Sequence, residues 1–147
     1  MTGPDPDANA NPSATRLLVG KLVGGGRALA HHDGETWLLK GALPGEVVEA
    51  QVERRRAGIV EGTAHTIIDG HHPSRDLQQC PHSGQCGGCD WPHVSPAPGA
   101  ELKTAAAAEA IRGAPDLAAH LRSATIRTSP PAYRLRARLH WDPANDR

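Results

Sequence analysis

Between Arg16 and Ile68 the chain is cut into five short apolar-rich runs by glycine-containing turns, and this pattern most narrows the folds open to it. Arg16–Val23 ends at Gly24-Gly25-Gly26, and Arg27–His31 follows. Asp33-Gly34 is a hairpin signal, because glycine accepts positive φ without a steric penalty. Thr36–Leu39 is the third run, and Leu43-Pro44-Gly45-Glu46 reads as a turn. From Glu46 to Arg54 the residues alternate, with Val47, Glu49, Gln51 and Glu53 on one face and Val48, Ala50, Val52 and Arg54 on the other. Ala57-Gly58 separates this run from Ile59–Ile68. Five strands in so short a stretch suit a small closed barrel of the OB type over residues 15–69.

Residues 1–14 are Pro, Asp, Asn and Ala with nothing to bury, and are expected to be disordered. They carry no basic residue and no apolar core, so they are no secretory signal, and a cytoplasmic location is expected. No run approaches the ~18 apolar residues of a membrane helix, which excludes a helical membrane span.

Residues 70–99 have no periodicity. A segment of that length is rarely idle in a compact domain. Something other than an apolar core must order it, and its three cysteines, Cys80, Cys86 and Cys89, are the obvious candidates. An odd count with no secretion signal argues against a disulfide framework. The spacing is C-x5-C-x2-C, and Gly87-Gly88 between the last two lets both thiolates reach one centre and aims backbone N–H groups at it. Three readings stay open. One is a 4Fe–4S cluster with a fourth ligand missing. Another is a structural zinc held by the three cysteines plus His82 or His93. The last is three free thiols. The other histidines, among them His31, His32, His65, His71, His72, His120 and His140, share no ligand spacing and read as surface or turn residues.

The region 70–122 continues with an Ala-rich helix over residues 100–112, with Pro98 as starter and Gly113 at its C′ position, and then a short helix from Asp116 to Arg122. Residues 123–147 hold the clearest alternation of all. Tyr133, Leu135, Ala137, Leu139 and Trp141 face one way, and Arg134, Arg136, Arg138 and His140 the other. So apolar a strand face needs neighbours, so the chain is expected to stop early in a further domain. Overall the fold expected is mainly β with an α+β continuation.

Net charge is zero, with 16 basic and 16 acidic residues, and only residues 123–147 lean basic, with five against two. Whole-chain charge gives no nucleic-acid signal. Two local sites do: Arg54-Arg55-Arg56, and the Arg134, Arg136, Arg138 face. Each is either a contact to RNA phosphate or a solvated charged surface. With Trp37 as the barrel's sole aromatic, base stacking across it is not expected.

Taken together, Cys80-Pro81-His82-Ser83-Gly84-Gln85-Cys86-Gly87-Gly88-Cys89, with His93 beyond it and Lys103 in the next helix, resembles the RNA uracil-5-methyltransferase family. The stretch with Gly24-Gly25-Gly26 and Ala42-Leu43-Pro44-Gly45-Glu46 looks like the TRAM domain of many members. Ser129 to Arg138 is similar to the segment opening the family's RNA-binding domain. Trp91-Pro92 and Gly99 depart from the family, which commonly has Gln near both places. The resemblance implies an S-adenosylmethionine-dependent enzyme acting on rRNA or tRNA. It implies a cluster on Cys80, Cys86 and Cys89 whose fourth ligand lies in the central domain. The nucleophilic cysteine, the base and the cofactor pocket would lie in a later domain, so this chain alone is expected to be inactive and a monomer. The rivals are a stand-alone RNA-binding module with a structural zinc, and a redox protein using the cysteines.

Overall fold

The computed structural model describes residues 14–76, 81–82 and 88–129. Five strands form a closed barrel: β1 (Thr15–Val23), β2 (Arg27–His32), β3 (Glu35–Lys40), β4 (Val47–Arg56) and β5 (Ile59–Asp69). Their order around the barrel is β1-β2-β3-β5-β4. Every pairing is antiparallel except β3 with β5. This is the OB-type closure expected from the turn spacing.

Local chemistry explains the strand ends. Asp33 and Gly34 at φ 49° and 78°, and Ala57 and Gly58 at φ 46° and 78°, both supply the two consecutive positive φ angles that a two-residue hairpin needs. β1 serves two neighbours. Its first half pairs with β4 and its second with β2, with an irregularity between Val19 and Lys21 that lets one strand turn from one partner to the other. The core is aliphatic around a single aromatic: Trp37 is 1% exposed, packed with Leu17, Val19, Leu39, Val48 and Val60. On β4 the inward face holds Val48 and Ala50 but stops there, because Gln51 to Arg56 are exposed and run out past the core with β5.

Two helices follow, α1 (Gly99–Ala110) and α2 (Pro115–Ser123). α1 lies against the barrel through Leu102 and Ala106, and its Glu109 accepts from Lys21 of β1 at 2.6 Å. Pro98 is its N-cap, as the sequence suggests. Gly113 is not the C′ residue. Ile111 is the C-cap and donates to the Ala107 carbonyl, so the helix ends before glycine is needed, and Gly113 has no positive φ. Of the residues 1–14 expected to be disordered, 1–13 lie outside the described residues, as does the expected strand at 132–142.

Candidate functional site: the cysteine segment and its seat on the barrel

Gly70, at φ +70°, carries the chain off β5 so tightly that a Cβ there would lie 2.5 Å from the Gly45 carbonyl oxygen. The following residues run back along the barrel end. His72 turns, its Nδ1 accepting from the Ser74 N–H at 3.0 Å. Arg75 then bridges antiparallel to Val94. The Asp76 N–H donates to the His93 carbonyl and the Ser95 N–H to the Ser74 carbonyl, both at 2.9 Å. The two ends of residues 77–92 are thereby held side by side, and the three cysteines lie within the loop they close.

The bridge is pinned by a buried ion pair. The Arg75 guanidinium donates to the Glu46 carboxylate from Nε and Nη2, each at 2.6 Å. Their side chains are 6% and 0% exposed. Arg75 Nη2 also donates to the Gly41 carbonyl at 2.9 Å, while Glu46 accepts from the backbone N–H of Leu43 at 2.8 Å and of His72 at 3.2 Å. Burial pushes the Glu46 pKa up, but the Arg75 hydrogen bond, the two backbone N–H groups and the Arg75 charge outweigh it and hold the carboxyl below its ordinary range. Such a pair survives desolvation because the lone pairs and donors facing inward are used.

His93 is buried beside this pair, 4% exposed. Burial, then the Arg75 charge, push its pKa down to about 4, against smaller opposing effects of the Glu46 charge and a backbone hydrogen bond with Ala42. The ring is therefore neutral at neutral pH, and its Nε2 is buried without a hydrogen-bond partner among the described residues. An adjacent guanidinium disfavours a metal cation on that nitrogen, so His93 serves the seat of the segment better than it serves a zinc. His82 is exposed. His31, His65, His71 and His120 are exposed too, and His72 sits in a turn, as expected.

Of the proposed metal ligands, Cys89 is described, and its side chain is exposed. Cys80 and Cys86 lie outside the described residues, as do Arg134, Arg136 and Arg138. Cys89 lines a cavity of about 400 Å³ with Gly26, Asp90, Trp91, Gly99 and Lys103. Gly26 is there by necessity: at φ +68° a Cβ would fall 2.6 Å from Asp90 Cβ and 3.0 Å from Trp91 Nε1. The Trp91 N–H is buried with no acceptor among the described residues. The space is thus lined by a thiol, a lysine and the Asp90 carboxylate, so charges of both signs face it.

The arginine triplet is not one patch. Arg54 pairs with Glu61 at 2.8 Å, and Arg55 pairs with Glu35. Arg56 has no carboxylate partner among the described residues, and it lies with Arg54, Ile59 and Glu61 around a shallow hollow of about 260 Å³ near the β4–β5 turn.

Sequence reasoning missed Glu46 and Arg75 as a pair. Glu46 did carry a signal: it shares strand parity with Val48 and Ala50, which face inward, so a carboxylate there demanded a partner. Nothing local to Arg75 names that partner 29 residues away.

The comparisons with known proteins join this geometry to a family. A 23S rRNA (uracil(1939)-C(5))-methyltransferase, RlmD, of Alkalilimnicola ehrlichii is 36% identical over 114 residues, 78% of this chain and 25% of that protein. The protein of the same name from Pseudomonas putida is 33% identical over 129 residues, 86% of this chain and 28% of its own length. The chain is homologous to part of an RNA uracil-5-methyltransferase. It spans about a quarter of the length of these curated relatives. The Pseudomonas aeruginosa protein of that name agrees, at 31% identity over 132 residues. No protein-family profile matches the chain. No helix among the described residues is long and apolar enough to cross a membrane.

Proposed function

We propose that this chain is the RNA-contacting, cluster-carrying N-terminal portion of an S-adenosylmethionine-dependent rRNA uracil-5-methyltransferase, with a TRAM-type barrel. The observation that carries the reading is the cysteine segment closed at its base against an OB-type barrel, in a chain homologous to RlmD proteins over 78–86% of its length. Cys80, Cys86 and Cys89 would hold a 4Fe–4S cluster, with a fourth ligand from elsewhere. A bound cluster would supply a covalent tie across the loop, while Gly26, Trp91 and Lys103 line the space beside Cys89. RNA phosphate would be met by Arg56, with Arg54 and Arg55 held by glutamates until RNA competes for them, and by Arg134, Arg136 and Arg138. Methyl transfer needs a nucleophile that this chain does not supply, since no cysteine follows Cys89. The purified chain is therefore inert towards uracil-containing RNA and S-adenosylmethionine.

A zinc-bound RNA-binding module is the second reading, favoured by the imidazole of His82, which is exposed and accessible to a metal. Metal and acid-labile sulfide analysis of the anaerobically purified chain separates the two. Iron with sulfide and a brown chromophore supports the first, and a colourless protein with one zinc sinks it.

A further inference from the structure

We infer that the Glu46–Arg75 pair is a positioning device for the cysteine segment, fastening both of its ends to the barrel before any metal binds. The pair ties the entering end to the barrel through the Arg75 and Glu46 side chains, and the Arg75 backbone carries the leaving end with it. Arg75 lies on the stretch of chain entering the segment, and the same residue bridges Val94, which leaves it. The flanking bonds, Asp76 N–H to the His93 carbonyl and Ser95 N–H to the Ser74 carbonyl, use only groups outside residues 77–92. None of these contacts involves a cysteine. The segment's mouth is therefore closed by the barrel's own folding, and the entropy of loop closure falls on folding rather than on metal binding.

The chemistry of the pair suits that task. Glu46 accepts from Arg75 Nε and Nη2 and from two backbone N–H groups, and Arg75 Nη2 also reaches the Gly41 carbonyl. With both side chains buried and engaged, neither is offered to RNA or to a reacting group. A planar guanidinium donating to both oxygens of a carboxylate fixes direction as well as distance, which a lysine cannot do. The fork thus sets how residues 74–76 lie against residues 93–95, and through them where Cys89 and its neighbours begin.

The inference rests on the reading of the cysteines as metal ligands in one of its two tests only. Arg75→Lys, Arg75→Met and the double variant Glu46→Gln with Arg75→Met are made in the full chain. The first test uses metal-free protein and amide hydrogen exchange at Asp76 and Ser95, with the Gly45 N–H, in the β3–β4 turn and bonded to the Val19 carbonyl of β1, as reference. Arg75→Met raises exchange at Asp76 and Ser95 at least tenfold and leaves Gly45 unchanged, and Arg75→Lys falls between it and the wild type. Where Arg75→Met alone loses the barrel, the double variant, which leaves no buried unpaired charge, is read in its place. Unchanged exchange at Asp76 and Ser95 in a variant with an intact barrel overturns the inference. The second test follows metal release to a chelator, which becomes about 10- to 100-fold faster without the fork, the usual effect of losing a group that orients a ligand. Release at the wild-type rate also overturns it. A chain that takes up neither iron nor zinc refutes the metal reading, and the exchange test still decides the role of the pair.

Discussion

The barrel and the cysteine segment are ordered by opposite means. In the barrel a dozen buried apolar side chains, from Leu17 to Val60, supply non-directional attraction, and closure leaves no open sheet edge. In residues 70–99 the fixed points among the described residues are polar: one buried ion pair, one histidine and a two-residue bridge, with Trp91 and Val94 packed on the barrel as apolar support. Burial tolerates small errors of placement, whereas a bidentate pair in low dielectric does not. A segment that has to present several ligands to one centre gains from the second kind of fastening, and a small core is sufficient for the first.

That contrast can be broken in four places. The largest effect is expected at the barrel centre. Trp37→Ala removes the one aromatic of a tightly packed core and costs about 3–5 kcal/mol in a denaturant titration. Because the segment is seated on the barrel, its order is lost in the same transition. Arg75→Met is expected to cost about 3 kcal/mol, because it strands the Glu46 carboxylate in the interior. Adding Glu46→Gln recovers much of this, which a double-mutant cycle by chemical denaturation reads directly.

The third test is pH. The His93 pKa is lower in the folded chain than the ordinary 6.5, so the unfolded state takes up the proton first. The stability from a neutral His93 is complete above pH 6.5 and is lost as pH falls towards about 4, a decline of about 3 kcal/mol from that group. Glu46 adds to the loss only at lower pH, below the carboxylate value of 4.5, since its folded pKa is depressed. Unfolding midpoints measured across this range should show the slope between pH 6.5 and 4 flatten in His93→Gln. The smallest effect is expected at the seam between the two regions. Gly26→Ala forces a Cβ against Asp90 at a positive φ and costs about 1–3 kcal/mol. It disturbs Trp91 fluorescence while leaving the barrel transition cooperative.

The same contrast governs what was legible in the sequence. Alternation and turn residues placed all five strands to within two residues, because period-two burial and the positive φ of Gly34 and Gly58 are written locally. The Ala-rich helix was equally plain, though its end was not. Gly113 is a good terminator by composition, but the backbone turns at Ile111. The seat of the cysteine segment was hidden for a different reason. The cysteines suggest themselves as the agents of order, while Glu46, just before β4, and Arg75, beyond the end of β5, do that work at the segment's mouth. A salt bridge across 29 residues has no periodicity to betray it. His93, which the sequence offers as a ligand or as a group beside the ligands, is buried beside Arg75, and its position next to Pro92 gives no means of foreseeing that.

Amide exchange of the wild-type chain with all metal removed shows whether the ion pair closes the segment. The Asp76 and Ser95 N–H groups are expected to stay protected along with barrel amides such as Val19, which donates to the Glu46 carbonyl. Exchange of Asp76 and Ser95 at the rate of an open chain, with Val19 still protected, would contradict this, since the metal and not the ion pair would then be what closes the segment.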